Sequence, residues 1–383
     1  VMNLRHWQSL NVNKRRADGL ICWNKGDEVM SKVTQLQQLL AEQGLDAILI
    51  TNEFNRRYIT GFTGTSGVAL VTPEDAILIT DFRYIEQATE QAPGFNIIEH
   101  TRAIEQEVAN QLKRLDIQKL VFEKEHVTYD QYEKFKQLFP CELLPKAGLI
   151  EQLRMIKSAD EIEILKQAAK IVDDAFHHIQ SYIKPGVREL DIANELEYYM
   201  RRQGATSSSF DTIVASGYRS SLPHGVASEK KIAEGELVTL DYGAYYKEYC
   251  SDITRTVAVG PISDELKNIY QIVLEAQTLA VEKIKPGMTG KEADSIARNY
   301  INDKGYGPNF GHSTGHGIGL EIHEEPRLSI HSDIILKPGM VVTVEPGIYL
   351  PNIGGCRIED DIVITETGNE RLTFAPKELI YVS

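Results

Sequence analysis

Cysteine is scarce. The 383 residues hold four, at positions 22, 141, 250 and 356, and no two are spaced as CxxC. That excludes a disulfide scaffold and suits a reduced, cytoplasmic setting. Positive charge is also in the minority: Lys and Arg number 41 against 55 Asp and Glu, a net charge of −14. Such a balance argues against a surface built to coat nucleic acid or anionic membrane. No uninterrupted apolar run approaches the ~18 residues of a membrane-spanning helix. What is present is ordinary globular material, 42% hydrophobic and 25% charged, which excludes collagen-like, coiled-coil and largely disordered chains. At ~100–200 residues per domain, two or three domains are expected.

The first 29 residues differ from the rest. Both tryptophans, Trp7 and Trp23, lie there with the basic cluster Lys14-Arg15-Arg16. No apolar segment precedes a small-residue cleavage site, so this stretch is not a secretory signal. A periodic helix begins after Met30, with Val33, Leu36, Leu39 and Leu40 on one face and Gly44 placed to close it. We expect Met30 to be the natural start and residues 1–29 to be leader or non-native extension.

From Asp46 the pattern alternates between short apolar runs and helical stretches. Strands are expected at Asp46–Thr51, Gly67–Val71, Ala76–Thr80, Phe95–Glu99 and Lys119–Phe122, with helices near Tyr84–Ala92 and Ala103–Leu115. Interleaving of this kind indicates an α/β domain, here over residues 30–153. A long helix follows, opened by the capping box Ser158-Ala159-Asp160-Glu161. Beyond it the sequence echoes itself. Ile183-Lys184-Pro185-Gly186 returns as Ile284-Lys285-Pro286-Gly287, and Gly235–Gly243 returns as Gly339–Gly347. Asp252 and Glu359, and His224 and His323, recur at similar offsets. Residues 154–383 therefore read as two duplicated halves, each of helices followed by antiparallel strands. Such halves face each other across a pseudo-two-fold axis, and a site tends to lie between them.

The chemistry lies at strand ends. Asp241 closes the apolar run Leu237–Leu240, and Glu345 closes its counterpart Val341–Val344. Asp252 and Glu359 follow after hairpin-length returns. A carboxylate at the end of a buried strand is costly unless it is paired or holds a metal. Four at one point repel one another, so a cation is expected, and one imidazole would complete a two-metal site. Half of the ten histidines fall at 224, 312, 316, 323 and 331. Taken singly, each is more often a surface or hydrogen-bonded residue, and His331 is read that way. Cys250 and Cys356 are read as small packing residues.

These spacings resemble those of the pita-bread metallopeptidases, the family of prolidase, aminopeptidase P and methionine aminopeptidase. The resemblance covers residues ~155–383. It puts the family's ligand set on Asp241 (in DYG), Asp252 (in SDITRT), His316 (in HSTGHGIGLEIHEEP), Glu345 (in VEPG) and Glu359 (in RIED). It makes His224 and His323 substrate-facing, with Glu345 as the proton carrier. It gives His312 and Arg357 second-shell or substrate-binding places. Asn55–Phe62 and Thr80–Tyr84 resemble the creatinase-type amino-terminal domain. The fold implied is an α/β N-terminal domain plus an α+β pita-bread catalytic domain with pseudo-two-fold duplicated halves.

The resemblance further implies two divalent metal ions bridged by Asp252 and Glu359, with Asp241 on one ion and His316 and Glu345 on the other. An oxygen-rich set of this kind favours Mn²⁺, with Co²⁺ or Zn²⁺ as alternatives. The activity implied is hydrolysis of the Xaa-Pro bond in small peptides by a cytoplasmic homodimer, as a dipeptidase of prolidase type. Aminopeptidase P, releasing the first residue of longer Xaa-Pro peptides, is the near alternative. Methionine aminopeptidase lacks the N-terminal domain, and creatinase works without metal. The alternative of another class is a non-catalytic peptide-binding module. Members of that kind have lost ligands, and this chain keeps all five.

Overall fold

The computed structural model describes residues 30–383. Trp7, Trp23 and the expected leader lie outside them. The chain splits into two compact units, one ending at Ile150 and the other beginning at Glu151.

In the first unit, helix α1 (Lys32–Gln43) starts where the Ser31 hydroxyl accepts the Thr34 N–H and stops at Gly44, which is left-handed at φ 63°. The chain then builds a six-stranded sheet from β1 (Ala47–Ile50), β2 (Val68–Val71), β3 (Ala76–Thr80), β4 (Asn96–Glu99), β5 (Lys119–Glu123) and β6 (Glu142–Lys146), in the order β4-β3-β2-β1-β5-β6. Pairing is parallel except between β1 and β2 and between β2 and β3. Helices α2 (Glu53–Thr60), α3 (Ile85–Gln91), α4 (Ile104–Arg114) and α5 (Tyr129–Leu138) connect the strands. One core joins Leu49, Leu70 and Ile77 of the sheet to Val108 and Leu112 of α4 and Phe135 of α5. Every strand expected from the sequence is present. Helices α2 and α5 were not anticipated: Asn52 caps the first and a Thr128–Gln131 capping box opens the second, local signals that hydrophobic periodicity does not carry.

The second unit opens with α6 (Glu151–Arg154) and α7 (Ala159–Ile179), whose capping box of Ser158 and Glu161 is formed as expected. Helix α8 (Glu189–Arg202) and strands β7 (Ser207–Ser208), β8 (Ile213–Ser216), β9 (Glu236–Tyr242), β10 (Ala244–Tyr246), β11 (Tyr249–Cys250) and β12 (Ile253–Val259) complete the first half. The second half repeats the plan with α9 (Asp264–Lys283), α10 (Gly290–Asp303), β13 (Gly315–Gly317), β14 (Glu324–Leu328), β15 (Val341–Val344), β16 (Gly347–Leu350), β17 (Gly354–Arg357), β18 (Asp360–Ile364) and β19 (Asn369–Arg371). The terminal β20 (Tyr381–Val382) returns to the first half and pairs with β12.

The duplication is visible in backbone detail. The Gly186 N–H donates to the Ile232 carbonyl and the Gly287 N–H donates to the Leu336 carbonyl, at 2.8 and 2.9 Å. Gly235 and Gly339, both entering the central hairpin of their half, sit at φ 84° and 87°, where a side chain would strain the turn. The sheets run β20-β12-β9-β8 and β14-β13-β15-β18-β19. Helices α7 and α8 cover the first through Val172, Phe176, Leu196 and Met200. Helices α9 and α10 cover the second through Ile269, Val273, Ala297 and Ile301. This is the α/β unit followed by an α+β pita-bread unit of duplicated halves. No described helix is long and apolar enough to cross a membrane.

Candidate metal centre and active site

The two central hairpins deliver their carboxylates to one place. Antiparallel pairing of β9 with β12 sets Asp241 opposite Thr254, so Asp252 lies two residues beyond on the same rim. Pairing of β15 with β18 sets Val344 opposite Asp360, leaving Glu345 and Glu359 at the adjoining ends. His316 comes from the middle of β13, next to β15. Gly315 permits that approach, since a Cβ there would lie 1.9 Å from the Thr343 carbonyl oxygen. The result is a cavity of about 420 Å³ lined by all nine residues expected at the site: His224, Asp241, Asp252, His312, His316, His323, Glu345, Arg357 and Glu359. His331 is exposed elsewhere.

Ligand atoms of Asp252, His316 and Glu359 all lie within 4.8 Å of one another. The His316 Nε2 is 3.7 Å from Asp252 Oδ2 and 3.5 Å from Glu345 Oε1. These contacts are not ion pairs. Burial, helped by His323 and Arg327, pushes the His316 imidazole down to about 3, so it is neutral. Its Nδ1 faces the Gly317 carbonyl at 3.0 Å and must donate there. The Nε2 lone pair is thus aimed at carboxylate oxygens, acceptor against acceptors.

The carboxylates show the same want of a cation. Asp241 Oδ1, Asp252 Oδ1 and Glu359 Oε1 are buried with no hydrogen-bond partner among the described residues. Burial, then the neighbouring carboxylates, raises Asp252 and Glu359 well above the usual range. Burial also lifts Glu345 to about 7, with Arg357 pulling the other way. Orphaned oxygens from three strand ends, with Glu345 beside them, around a neutral imidazole nitrogen fit one or more divalent cations.

The second oxygens of Asp241 and Glu359 are tied back. Arg357 Nη2 donates to Asp241 Oδ2 in a buried ion pair. Thr254 Oγ1 donates to Glu359 Oε2 at 2.7 Å and accepts from Arg357 Nε at 3.1 Å. The Asp252 N–H donates to Asp361 Oδ2 at 3.0 Å. Tyr349 links Arg357 Nη1 at 2.7 Å to His312 Nε2 at 2.8 Å through its hydroxyl. Burial, and then Arg357, lowers His312 to about 4, so its ring is neutral. Each bound oxygen fixes its partner oxygen towards the cavity, the outer-shell arrangement that metal ligands require.

His224 and His323 are exposed at the cavity, and the His323 ring meets His316 edge-on with centroids 4.5 Å apart. Burial, then Arg327, lowers His323. Several lining residues were not anticipated: Phe210, Asp211, Ile213 and Arg327. They sit on loops or strands outside the echoes, and nothing in their spacing marks them. Thr254 and Asp361 did carry a signal, since each falls two residues from a ligand, on the same side of an extended chain.

A model described as "Metallopeptidase family M24" matches residues 163–366. A second, the "Creatinase/Prolidase N-terminal domain", matches residues 32–156. The curated Xaa-Pro dipeptidase of Pyrococcus horikoshii is 44% identical over 92% of this chain and 100% of its own. Among solved structures, an Xaa-Pro dipeptidase from Bacillus anthracis is 60% identical with a TM-score of 0.90, covering 92% of this chain and 99% of its own. An X-Pro aminopeptidase from Thermotoga maritima is 42% identical with a TM-score of 0.86, covering 92% and 100%.

Proposed function

The chain belongs to metallopeptidase family M24, and from that premise we propose that it hydrolyses the Xaa-Pro bond of dipeptides with two divalent metal ions, Mn²⁺ by preference. The observation that supports this most directly is the group of buried, partnerless carboxylate oxygens around His316 Nε2, in a cavity that holds three more imidazoles. In this reading Asp241, Asp252, His316, Glu345 and Glu359 would hold the ions. When bound, the ions supply the charge that polarises the scissile carbonyl and acidifies a water.

The chain's own residues do the rest. Glu345 is the most open of the four carboxylates, its side chain 17% exposed against 12% for Asp241 and 7% for Asp252. It takes the proton of the attacking water and returns it to the leaving proline nitrogen. His224 and His323 donate hydrogen bonds to the oxygen that gains charge, each worth about 3 kcal/mol when well aimed. The Xaa-Pro bond has no N–H, so the proline side needs a surface that fits a ring. Phe210, Ile213, Pro223 and Ile322 provide it. Arg327 lines the same cavity and would pair with the free carboxylate of a dipeptide, and a cavity of about 420 Å³ is at the small end of ligand sites, roughly 300–1,000 Å³. The reading includes a homodimer, which light scattering checks.

The test is kcat/KM for Xaa-Pro against Xaa-Pro-Yaa peptides, before and after chelation. The dipeptide should be preferred at least tenfold, activity should vanish with chelator, and Mn²⁺ should restore it. Cleavage of the longer peptides with equal efficiency would favour the second reading, an aminopeptidase, which the likeness to the Thermotoga maritima structure keeps open. Full turnover after exhaustive chelation would remove the metal from the reaction.

A further inference from the structure

His323 is exposed, and its ring contact with His316 does not explain how it is aimed. The residue after it does. Glu324 opens β14 with its side chain only 6% exposed, on the side of the chain opposite to the cavity. Its Oε1 accepts from Arg154 Nη2 and from the Glu321 N–H at 3.0 Å, and its Oε2 accepts from Lys157 Nζ at 3.2 Å. Arg154 also reaches Glu321 Oε2 at 2.7 Å. Two cations and two carboxylates make a neutral cluster, in which Arg154, Lys157 and Glu324 are shut off from water and Glu321 reaches it. Burial alone would raise the Glu324 carboxyl, but Lys157 and Arg154 outweigh it and hold the group below its usual range.

The turn from Gly319 to Glu324 is folded round this carboxylate. A Cβ on Gly319 would lie 2.8 and 2.9 Å from its two oxygens. The Gly319 N–H donates to the Glu321 carbonyl at 3.1 Å, and the Cys250 N–H donates to the Gly319 carbonyl at 2.8 Å. Arg154 and Lys157 come from α6 and the residues just after it, at the start of the second unit. Lys157 is itself fixed by its N–H to the Gly339 carbonyl at 2.9 Å. The cations are therefore anchored, and the turn is held to them.

We propose that Glu324 is a positioning residue: clamped by Arg154 and Lys157, it sets the turn that aims the His323 imidazole into the cavity. This rests on the role given to His323 above. Misplacing a reacting group by about 1 Å costs up to a hundredfold in rate, so the clamp acts on turnover and leaves the metal ligands untouched.

The experiment is a double-mutant cycle. Removing Glu324 alone strands buried positive charge, so Glu324→Gln is combined with Lys157→Gln, which keeps the cluster neutral. Arg154→Lys, which preserves every charge, gives the same comparison if that pair does not fold. Each is measured for Xaa-Pro turnover in wild-type and His323→Ala backgrounds, and for Mn²⁺ binding by calorimetry. In the wild-type background kcat should fall about ten- to a hundredfold, with KM changed less and Mn²⁺ affinity within about threefold. In the His323→Ala background the same change should cost nothing further. Equal losses in both backgrounds, or a folded variant of normal kcat, would overturn the clamp while leaving the role of His323 standing. A His323→Ala enzyme of normal turnover would remove both.

Discussion

Replacing Glu359 by glutamine should move stability in opposite directions with and without metal. Glu359 is 1% exposed. Its Oε2 accepts the Thr254 hydroxyl and its Oε1 has no partner. Asp252 and His316 offer ligand atoms within 4.8 Å of it. At that separation two unit charges repel by about 3 kcal/mol at an effective dielectric near 20. Partial protonation relieves some of this, as the raised carboxyls of Asp252 and Glu359 indicate. Glutamine fills nearly the same volume and keeps an acceptor for Thr254, but carries no charge. The metal-free variant should therefore gain about 1–3 kcal/mol, with Tm rising roughly 2–4 °C per kcal/mol. In Mn²⁺ the order should reverse. An ion at a hundred times its Kd adds about 2.7 kcal/mol to the protein that binds it, so the two proposed ions together add about 5 kcal/mol, and a neutral amide forfeits more of that than the metal-free gain. Scanning calorimetry at neutral pH, first in chelator and then in Mn²⁺, reads both signs. A variant less stable than wild type in chelator would refute the electrostatic reasoning. One that keeps the full rise in Mn²⁺ would refute the ligand assignment.

Two further substitutions probe the supports. Tyr349→Phe removes the hydroxyl between Arg357 Nη1 and His312 Nε2. It leaves a buried donor unmet at a cost of about 1–3 kcal/mol, so kcat/KM should drop about tenfold or more, and unchanged kinetics would show that the link does not hold Arg357. Gly315→Ala drives a methyl into the Thr343 carbonyl, an overpacking worth about 1–3 kcal/mol. Thermal unfolding should fall by several degrees and calorimetric Mn²⁺ affinity should weaken with it, because His316 is the next residue.

How much of this was legible in the sequence follows from what kind of interaction fixes each residue. Asp241 and Glu345 could be placed because an apolar run ending in a carboxylate predicts a buried strand with a costly end. The similar offsets of the echoes, Gly235 with Gly339 among them, predicted that two such ends would be brought together. Those are local patterns made twice, and the structure keeps them to the level of φ angles and backbone hydrogen bonds. Arg327 and Asp211 could not be placed, since neither residue falls in a sequence echo and their segments carry no apolar periodicity. Glu324 is the instructive case. It sits beside His323 in the sequence, yet its partners Arg154 and Lys157 lie 170 and 167 residues away. A charged residue in the run His323-Glu324-Glu325 reads as solvated surface until the fold shows one carboxylate turned inward. Charge count and spacing cannot make that distinction. Only the alternation of side chains along β14, anchored by a turn that wraps the buried group, decides which neighbour faces the substrate and which holds it in place.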